Sequence, residues 1–323
     1  MTLNLVNKAI AHPRVQSYTQ LNLPISGRHC IFARAFRVPN KKFCAKTTDH
    51  PQILAIPSRF SIFSGCGGTS AGLRSAGMEI VLCIDNVDDA AATFKLNFPD
   101  ASFFNVDIRR LPTRAIDGLI EEAEESPILF NACAPCQPYS KQRSSPIERG
   151  DKRNGLLGQL LRFVKRHHPE LIFVENVPGI HEGSHLNWEF SRFRQAIERL
   201  KYSVDCNVIL SQDYGVPQKR KRLILIASRI GPIEFPGKTH GPATASPEYA
   251  SVRQWIGDFP SVAAGQEHPE VQNHRAALLS PLNLRRIRST PEGGGWKDWP
   301  EELRPDCHRG GFSGYTDVYE RMK

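Results

Sequence analysis

The chain has 323 residues, 40% of them apolar and 23% charged, with a net charge of +9. That length and balance fit one large α/β unit with a smaller appendage and a substantial core. The absence of any uninterrupted apolar stretch of about 18 residues, and of an apolar leader with a small-residue cleavage site, excludes a membrane-spanning or secreted reading and gives the expectation of a soluble, intracellular chain. Eight cysteines at positions 30, 44, 66, 83, 133, 136, 206 and 307 are too scattered for a disulfide framework. Several sit in apolar runs such as "VLCID", where a reduced thiol serves as a small hydrophobe.

Taken in chain order, residues 1 to 58 form a basic extension. They hold eight Lys and Arg against the single acid Asp49, a net +7. Such a segment reads either as an arm for a polyanion, through counterion release, or as a solvated tail.

From Phe60 onward, short β-rich apolar runs alternate with helical patterns: "FSIFS", "SAGLRSAG", "EIVLCID", "DDAAATFKLNF", "SFFNVDI", "TRAIDGLIEEAEE", "PILFNACAP", "GLLGQLLRFVKRHH", "ELIFVENV" and "WEFSRFRQAIERL". Strand and helix in strict turn predict a mostly parallel, doubly wound sheet covered on both faces. The next stretch, "YSVDCNVILSQDYGVPQKRKRLILIAS", holds two strand-like runs joined by a short basic connection, so the sheet is expected to end in an antiparallel hairpin. Beyond Gly231 the texture turns to Pro, Gly, His and Trp without periodicity. The expected division is an extension over 1–58, a catalytic unit over 59–230 and a loop-rich region over 231–323, in which Trp296, Trp299, Arg304 and Arg309 either touch a ligand or pack.

Residues able to carry chemistry fall at strand ends. The turn "FSGCGG", Phe63 to Gly68, follows the first strand and opens a helix; its glycines let a ligand approach the backbone, although such a turn is also a common structural device. Asp85 ends the second strand, where a carboxylate can accept from both hydroxyls of a ribose, and Asp107 ends the third. Glycine, acid and acid on consecutive strand ends suit a nucleoside; the spacing departs from GxGxxG and leaves little room for a pyrophosphate. The alternative is that both acids cap helices.

The fourth strand delivers "NACAPCQPYSKQR". Flanked by Pro135 and Gln137, Cys136 belongs to a loop over the C-terminal edge of the sheet, with Lys141 and Arg143 near enough in sequence to favour a thiolate. Cys133 still belongs to the strand run and reads as packing. A redox pair or half of a zinc site is the competing reading of the two sulfurs, and the one His doublet, His167 and His168, ends an amphipathic helix. Glu175 and Asn176 close the fifth strand in "FVENV". A carboxyl emerging from so apolar a run is partly desolvated and suited to donate a proton, or else it caps the next turn. In "QKRKR", Gln218, Arg220 and Arg222 share one face if the segment is extended.

In this order, "FSGCGG", "APCQ", "FVENV" and "QKRKR" resemble the DNA cytosine-5 methyltransferase family from about Phe60 to Arg229, and "PEGGGWKDWPEELRP" with "GYTDVY" resembles the target-recognition region of its bacterial members. The resemblance implies a Rossmann-like S-adenosylmethionine-dependent methyltransferase fold. It implies that Phe63, Gly65, Gly67, Gly68, Asp85, Asn86, Asp107, Ile108, Pro135 and Leu156 hold S-adenosylmethionine, with Asp85 on the ribose and Asp107 and Ile108 at the adenine. It further implies that Cys136 attacks C6 of a cytosine flipped from double-stranded DNA, that Glu175 protonates N3, and that Arg220 and Arg222 orient the base, with Gln137, Asn176 and Gln218 at the substrate.

The same resemblance implies a restriction-modification role in the bacterial cytoplasm, with no metal. Family members continue past "GYTDVY" with further motifs, and Glu320 stands where relatives tend to have Gly. Two expectations follow: a second polypeptide supplies those motifs, or the chain is a fragment that binds cofactor or DNA without turning over.

Overall fold

The computed structural model describes residues 58–123, 126–134, 155–182, 187–271 and 274–305. Seven strands form one sheet: β1 (Ser58–Ile62), β2 (Glu79–Asp85), β3 (Ser102–Asn105), β4 (Ile128–Ala132), β5 (Leu171–Asn176), β6 (Ser203–Leu210) and β7 (Lys221–Ser228), in the order β3-β2-β1-β4-β5-β7-β6. The first five run parallel; β7 is antiparallel to both β5 and β6. This is the expected doubly wound sheet with an antiparallel end.

The connection between the last two strands differs from the expectation. It is the ten-residue segment 211–220, opening with a 3-10 turn at Ser211–Tyr214, and the basic residues Lys221 and Arg222 already belong to β7. Asp213, buried in that turn, explains why. It pairs with Lys238 at 2.8 Å, and its carbonyl accepts from the Thr239 and His240 amides, so the chain is pinned before β7 begins.

Helices α1 (Gly68–Ser75), α2 (Asp88–Asn97), α3 (Asp117–Glu122), α4 (Leu156–His167), α5 (Gly179–Glu182) and α6 (Asn187–Arg199) connect the strands. β1 and β4 are buried at every position, as strands covered on both faces must be. On one face Phe60, Ile62, Phe130 and Val174 pack against Leu160, Phe163 and Val164 of α4 and Phe193 and Ile197 of α6. On the other, Leu129, Leu171, Phe173 and Ile226 meet Leu73 of α1 and Met78. His167 is part of this packing: its Nε2 lies 2.9 Å from the Thr113 carbonyl and its ring stacks on Phe163, while His168 ends the helix in the left-handed region at φ 44°.

The described residues after β7 are loops with two short α-helices, α7 (Val252–Ile256) and α8 (Pro281–Arg288), and two 3-10 turns, Trp296–Asp298 and Glu301–Leu303. Trp299 is buried, donates from Nε1 to Thr290 Oγ1 at 2.7 Å and lies under the Arg286 guanidinium. Arg304 donates to the Trp299 and Lys297 carbonyls. Both residues therefore pack this region; Arg309 and the 1–57 segment lie outside the described residues.

The chain runs outward from β1 through β2 to β3, then returns to start β4 on the other side of β1. The connections after β1 and β4 leave in opposite directions, which opens a crevice at the C-terminal edge of the sheet. Gly67, at φ 93°, brings the first of these connections against α2. A Cβ there would lie 2.7 Å from the Phe98 ring and 2.9 Å from Phe94. Strain at positive φ plus overpacking predicts that Gly67→Ala lowers unfolding free energy by about 2 kcal/mol, measured by urea denaturation.

Candidate active site

The turn after β1 is built from left-handed residues: Phe63 at φ 60°, Gly65 at 53° and Gly67 at 93°. Asp85, at the end of β2, ties it down. Its Oδ2 accepts from the Gly65 amide at 2.7 Å, and its Oδ1 accepts from the Asn86 and Val87 amides at 2.8 and 3.1 Å. Three of the roughly four acceptor positions of this carboxylate are thus filled by backbone. Asp85→Ala is expected to loosen the turn and lower stability by about 2 kcal/mol, whereas Asp85→Asn keeps one acceptor oxygen and falls between; thermal unfolding separates the two.

Beside this turn is a cavity of about 410 Å³. Phe63, Gly65, Asp85, Asn86, Asp107, Ile108 and Leu156, seven of the residues singled out for a nucleoside cofactor, line it. Gly67 and Gly68 do not; Gly67 faces Phe94 and Phe98, so its part is to pack the turn. Asp107 is held by Arg109, whose Nε and Nη2 donate at 2.9 and 2.7 Å and whose amide donates at 3.0 Å. The Arg109 side chain holds the Asp107 carboxyl below its ordinary range. Neither acid caps a helix through its side chain: the N-cap of α2 is Val87.

Leu156 reaches the cavity because Glu189 of α6 accepts from the Gly155 and Leu157 amides at 3.0 and 2.9 Å and so fixes the start of α4. The lining suits a nucleoside. Ile84, Val106, Ile108 and Leu156 offer apolar walls to a flat heterocycle, and the carboxylates at the rim suit hydroxyl and amino donors.

Glu175 stands at the end of β5 with its Oε1 2.6 Å from Arg222 Nε. The antiparallel register makes this possible, for Glu175 pairs with Ile224 and Asn176 with Leu223, bringing the first turn of β7 beside the last of β5. Burial pushes the Glu175 carboxyl above its ordinary value; the Arg222 charge and hydrogen bond oppose that shift in part. A carboxyl of raised pKa against a guanidinium can engage a ring nitrogen and its neighbouring carbonyl on one heterocycle. Gln218 and Arg220 lie in the backbone turn before β7, where the Arg220 amide donates to the Gln218 carbonyl at 2.9 Å. Of the three residues in that motif, Arg222 is the one held against Glu175.

Two expectations need correction. Asn176 is only 2% exposed. Its Nδ2 donates to the Ala134 carbonyl at 3.2 Å and its Oδ1 accepts from the Val177 amide at 2.9 Å, so it anchors the chain leaving β4 instead of facing a substrate. Cys133 lies one residue past β4, lines the cavity, and has its sulfur 3.0 Å from Thr69 Oγ1. Placed on the cavity wall with its sulfur against the Thr69 hydroxyl, it is not packing within the strand. Pro135, Cys136 and Gln137, with Lys141 and Arg143, lie outside the described residues. Ile84, Val87, Ala90, Val106, Arg109 and Cys133 are the cavity residues that sequence reasoning did not assign to it. Arg109 carries a signal in its i, i+2 spacing from Asp107, and Cys133 carries none.

Among the described residues, no helix is long and apolar enough to cross a membrane. A family model described as C-5 cytosine-specific DNA methylase matches residues 58–310. The chain is 33% identical over 264 residues to the type II methylase M.HgiDII of Herpetosiphon aurantiacus, covering 81% of this chain and 72% of that one. It is 33% identical over 251 residues to the type II methyltransferase M1.HphI of Haemophilus parahaemolyticus, covering 76% of this chain and 63% of that protein's own length. With the type II methyltransferase M.AquIA of Picosynechococcus it shares 30% identity over 199 residues, 57% of this chain and 77% of that one.

Proposed function

Because this chain belongs to the C-5 cytosine-specific DNA methylase family, we propose that it methylates C5 of a cytosine in double-stranded DNA, as the modification enzyme of a type II restriction system in the bacterial cytoplasm. The family uses S-adenosylmethionine, which when bound supplies an activated methyl group on a sulfonium. The observation that carries the reading is the meeting, at one sheet edge, of a nucleoside-sized cavity with the Glu175–Arg222 pair.

In this reading Phe63, Asp85, Asn86, Asp107, Ile108 and Leu156 hold the cofactor, together with Gly65 and Pro135. The part of Asp85 is double: three backbone amides shape the turn through it, and its remaining acceptor position takes a ribose hydroxyl. Cys136 adds as thiolate to C6 of the flipped base. Glu175 gives its proton to N3 as that bond forms, which turns the ring into an enamine nucleophilic at C5. Arg222, assisted by Arg220, Gln218 and Gln137, holds the O2 side of the base; after methylation, loss of the C5 proton expels Cys136 and restores the aromatic ring. Extraction from the duplex is required because C6 is shielded in stacked DNA. Residues 231–323 are assigned to target recognition.

The test is covalent capture. DNA in which cytosine is replaced by 5-fluorocytosine cannot lose the C5 proton, so the chain with S-adenosylmethionine is expected to form an adduct stable to denaturing electrophoresis, and Cys136→Ala is expected to form none. One arm adds a polypeptide carrying the family's C-terminal motifs, to learn whether a second chain completes the enzyme. No adduct in either arm sinks the catalytic reading.

A further inference from the structure

We propose that Arg109 sets the base specificity of the cofactor cavity: its guanidinium fork fixes Asp107 as a rigid, acceptor-only carboxylate, so that a 6-aminopurine nucleoside is taken and its 6-oxo counterpart rejected. The inference rests on the nucleoside-cofactor reading above, and assigns a positioning role to a side chain that the reading leaves unused.

Three observations carry it. Arg109 and Asp107 both line the cavity, together with Ile108 and Leu156, whose apolar side chains suit a flat heterocycle. The fork grips both carboxylate oxygens: Nε donates to Oδ1 at 2.9 Å and to Oδ2 at 3.1 Å, Nη2 donates to Oδ2 at 2.7 Å, and the Arg109 amide donates to Oδ1 at 3.0 Å. The backbone beneath this pair is held by other groups. Arg162 of α4 donates from Nη2 to the Ile108 and Leu111 carbonyls at 3.3 and 2.9 Å, and the Val106 amide donates to the Asp85 carbonyl at 2.9 Å. The turn is therefore a fixed platform, and the Arg109 side chain governs how the carboxylate stands on it.

The consequence for recognition is a matter of donors and acceptors. An ionised carboxylate accepts and cannot donate. Arg109 fills three of the roughly four acceptor positions of Asp107, which leaves one on Oδ2. An exocyclic amine satisfies that position with an N–H, whereas a 6-oxo group meets it with lone pairs of its own. Asp85 is poorly placed to share the task, since three backbone amides already occupy it. The fork also holds the Asp107 carboxyl below its ordinary range, which keeps it an acceptor at neutral pH. Charge alone would not discriminate, because a 6-oxopurine carries an N1–H beside its oxygen and a carboxylate free to rotate could turn to it. Two parallel N–H···O bonds fix the carboxylate plane and forbid that turn.

The test is a ratio of affinities. Binding of S-adenosylhomocysteine and of S-inosylhomocysteine, its 6-oxo counterpart, to the full-length chain is measured by calorimetry without DNA. Wild type is expected to favour the 6-amino ligand about 100-fold, less than a sealed hydrogen-bonding site gives, because the Arg109 and Asp107 side chains are 40% and 25% exposed. Arg109→Ala is expected to cut the ratio about tenfold, chiefly by admitting the 6-oxo ligand. Arg109→Lys keeps the charge without the fork and is expected to stay near the alanine value. A residue that merely supports the fold would weaken both ligands alike and leave the ratio where it was. An unchanged ratio in Arg109→Ala overturns the proposal, as does full restoration by Arg109→Lys. Wild type that binds neither ligand removes the nucleoside-cofactor reading and this proposal with it, whereas a 6-amino preference that survives in Arg109→Ala removes this proposal alone.

Discussion

Glu175→Gln is expected to lower kcat for methyl transfer by about 100- to 10,000-fold, the usual worth of a positioned general acid. The glutamine keeps size and hydrogen bonding but holds no transferable proton, and it leaves Arg222 facing a neutral amide in place of the oxygen 2.6 Å from its Nε. Both partners keep partial solvent contact, with side-chain exposures of 29% and 17%, so the loss of fold stability is expected to stay near 1 kcal/mol.

The pH dependence has a definite sign. Burial raises the Glu175 pKa in the folded chain. Between the ordinary glutamate value and the raised one, the folded state binds a proton that the unfolded chain has released, so stability declines as pH climbs through that window. Activity needs the same proton, so kcat is expected to fall on the alkaline side of the window. Arg222→Met removes the cation that opposes the shift and should carry that alkaline limb to higher pH while reducing the maximal rate. A rate profile unchanged in shape between wild type and Arg222→Met would show that Glu175 is not the titrating acid.

The second large effect concerns stability. Arg59 sits in β1 with no solvent exposure, and one hydrogen bond, from Nη2 to the Ser70 carbonyl at 3.3 Å, serves its guanidinium. Nε and Nη1 have no partner among the described residues, and neither has the Asn131 Oδ1 on the same face of the sheet. Burial pulls the Arg59 pKa down to about 9 from 12.5. At neutral pH the side chain is therefore a cation held in the core, at a cost on the order of 3–5 kcal/mol. Arg59→Met, apolar and of similar length, is expected to raise unfolding free energy by a comparable amount and the melting temperature by about 2–4 °C per kcal/mol, read by calorimetry. A fall in stability would mean that a residue outside the described segments pairs with the guanidinium.

Much of this was legible in the sequence because the physics involved is local. Apolar runs of five to eight residues named the strands, and "EIVLCID" coincides with β2 residue for residue. Helix after strand forced parallel pairing, and the want of a helix between the last two runs announced the antiparallel end. Glu175 and Arg222 were readable because each stands where an apolar strand meets the sheet edge.

Other features depend on distances in space that no window reveals. Asp85 looked like a ligand-binding acid, yet it holds three amides of the chain itself. Asn176, next to Glu175, is turned inward to Ala134 because successive strand residues point to opposite faces. Cys133 looked like packing because it continues an apolar run, while its partner Thr69 is 64 residues before it. Arg59 went unremarked because a charged residue at the head of a strand suggests an exposed edge, and the strand is central.

The insertion of β7 between β5 and β6 has a consequence for how the protein is made. β5 is synthesised some fifty residues before the strand that flanks it, and β6, made in between, takes the outer edge. A nascent chain can therefore fold β1 through β5 and α6, and with them shape the cavity, while the flank of β5 is still bare. Arg222 reaches Glu175 only when β7 leaves the ribosome and slides into that gap. Non-local pairing of this kind is slow, and a bare strand flank invites association with other chains. Glu175 and its guanidinium partner are thus expected to meet at the closing step of sheet assembly.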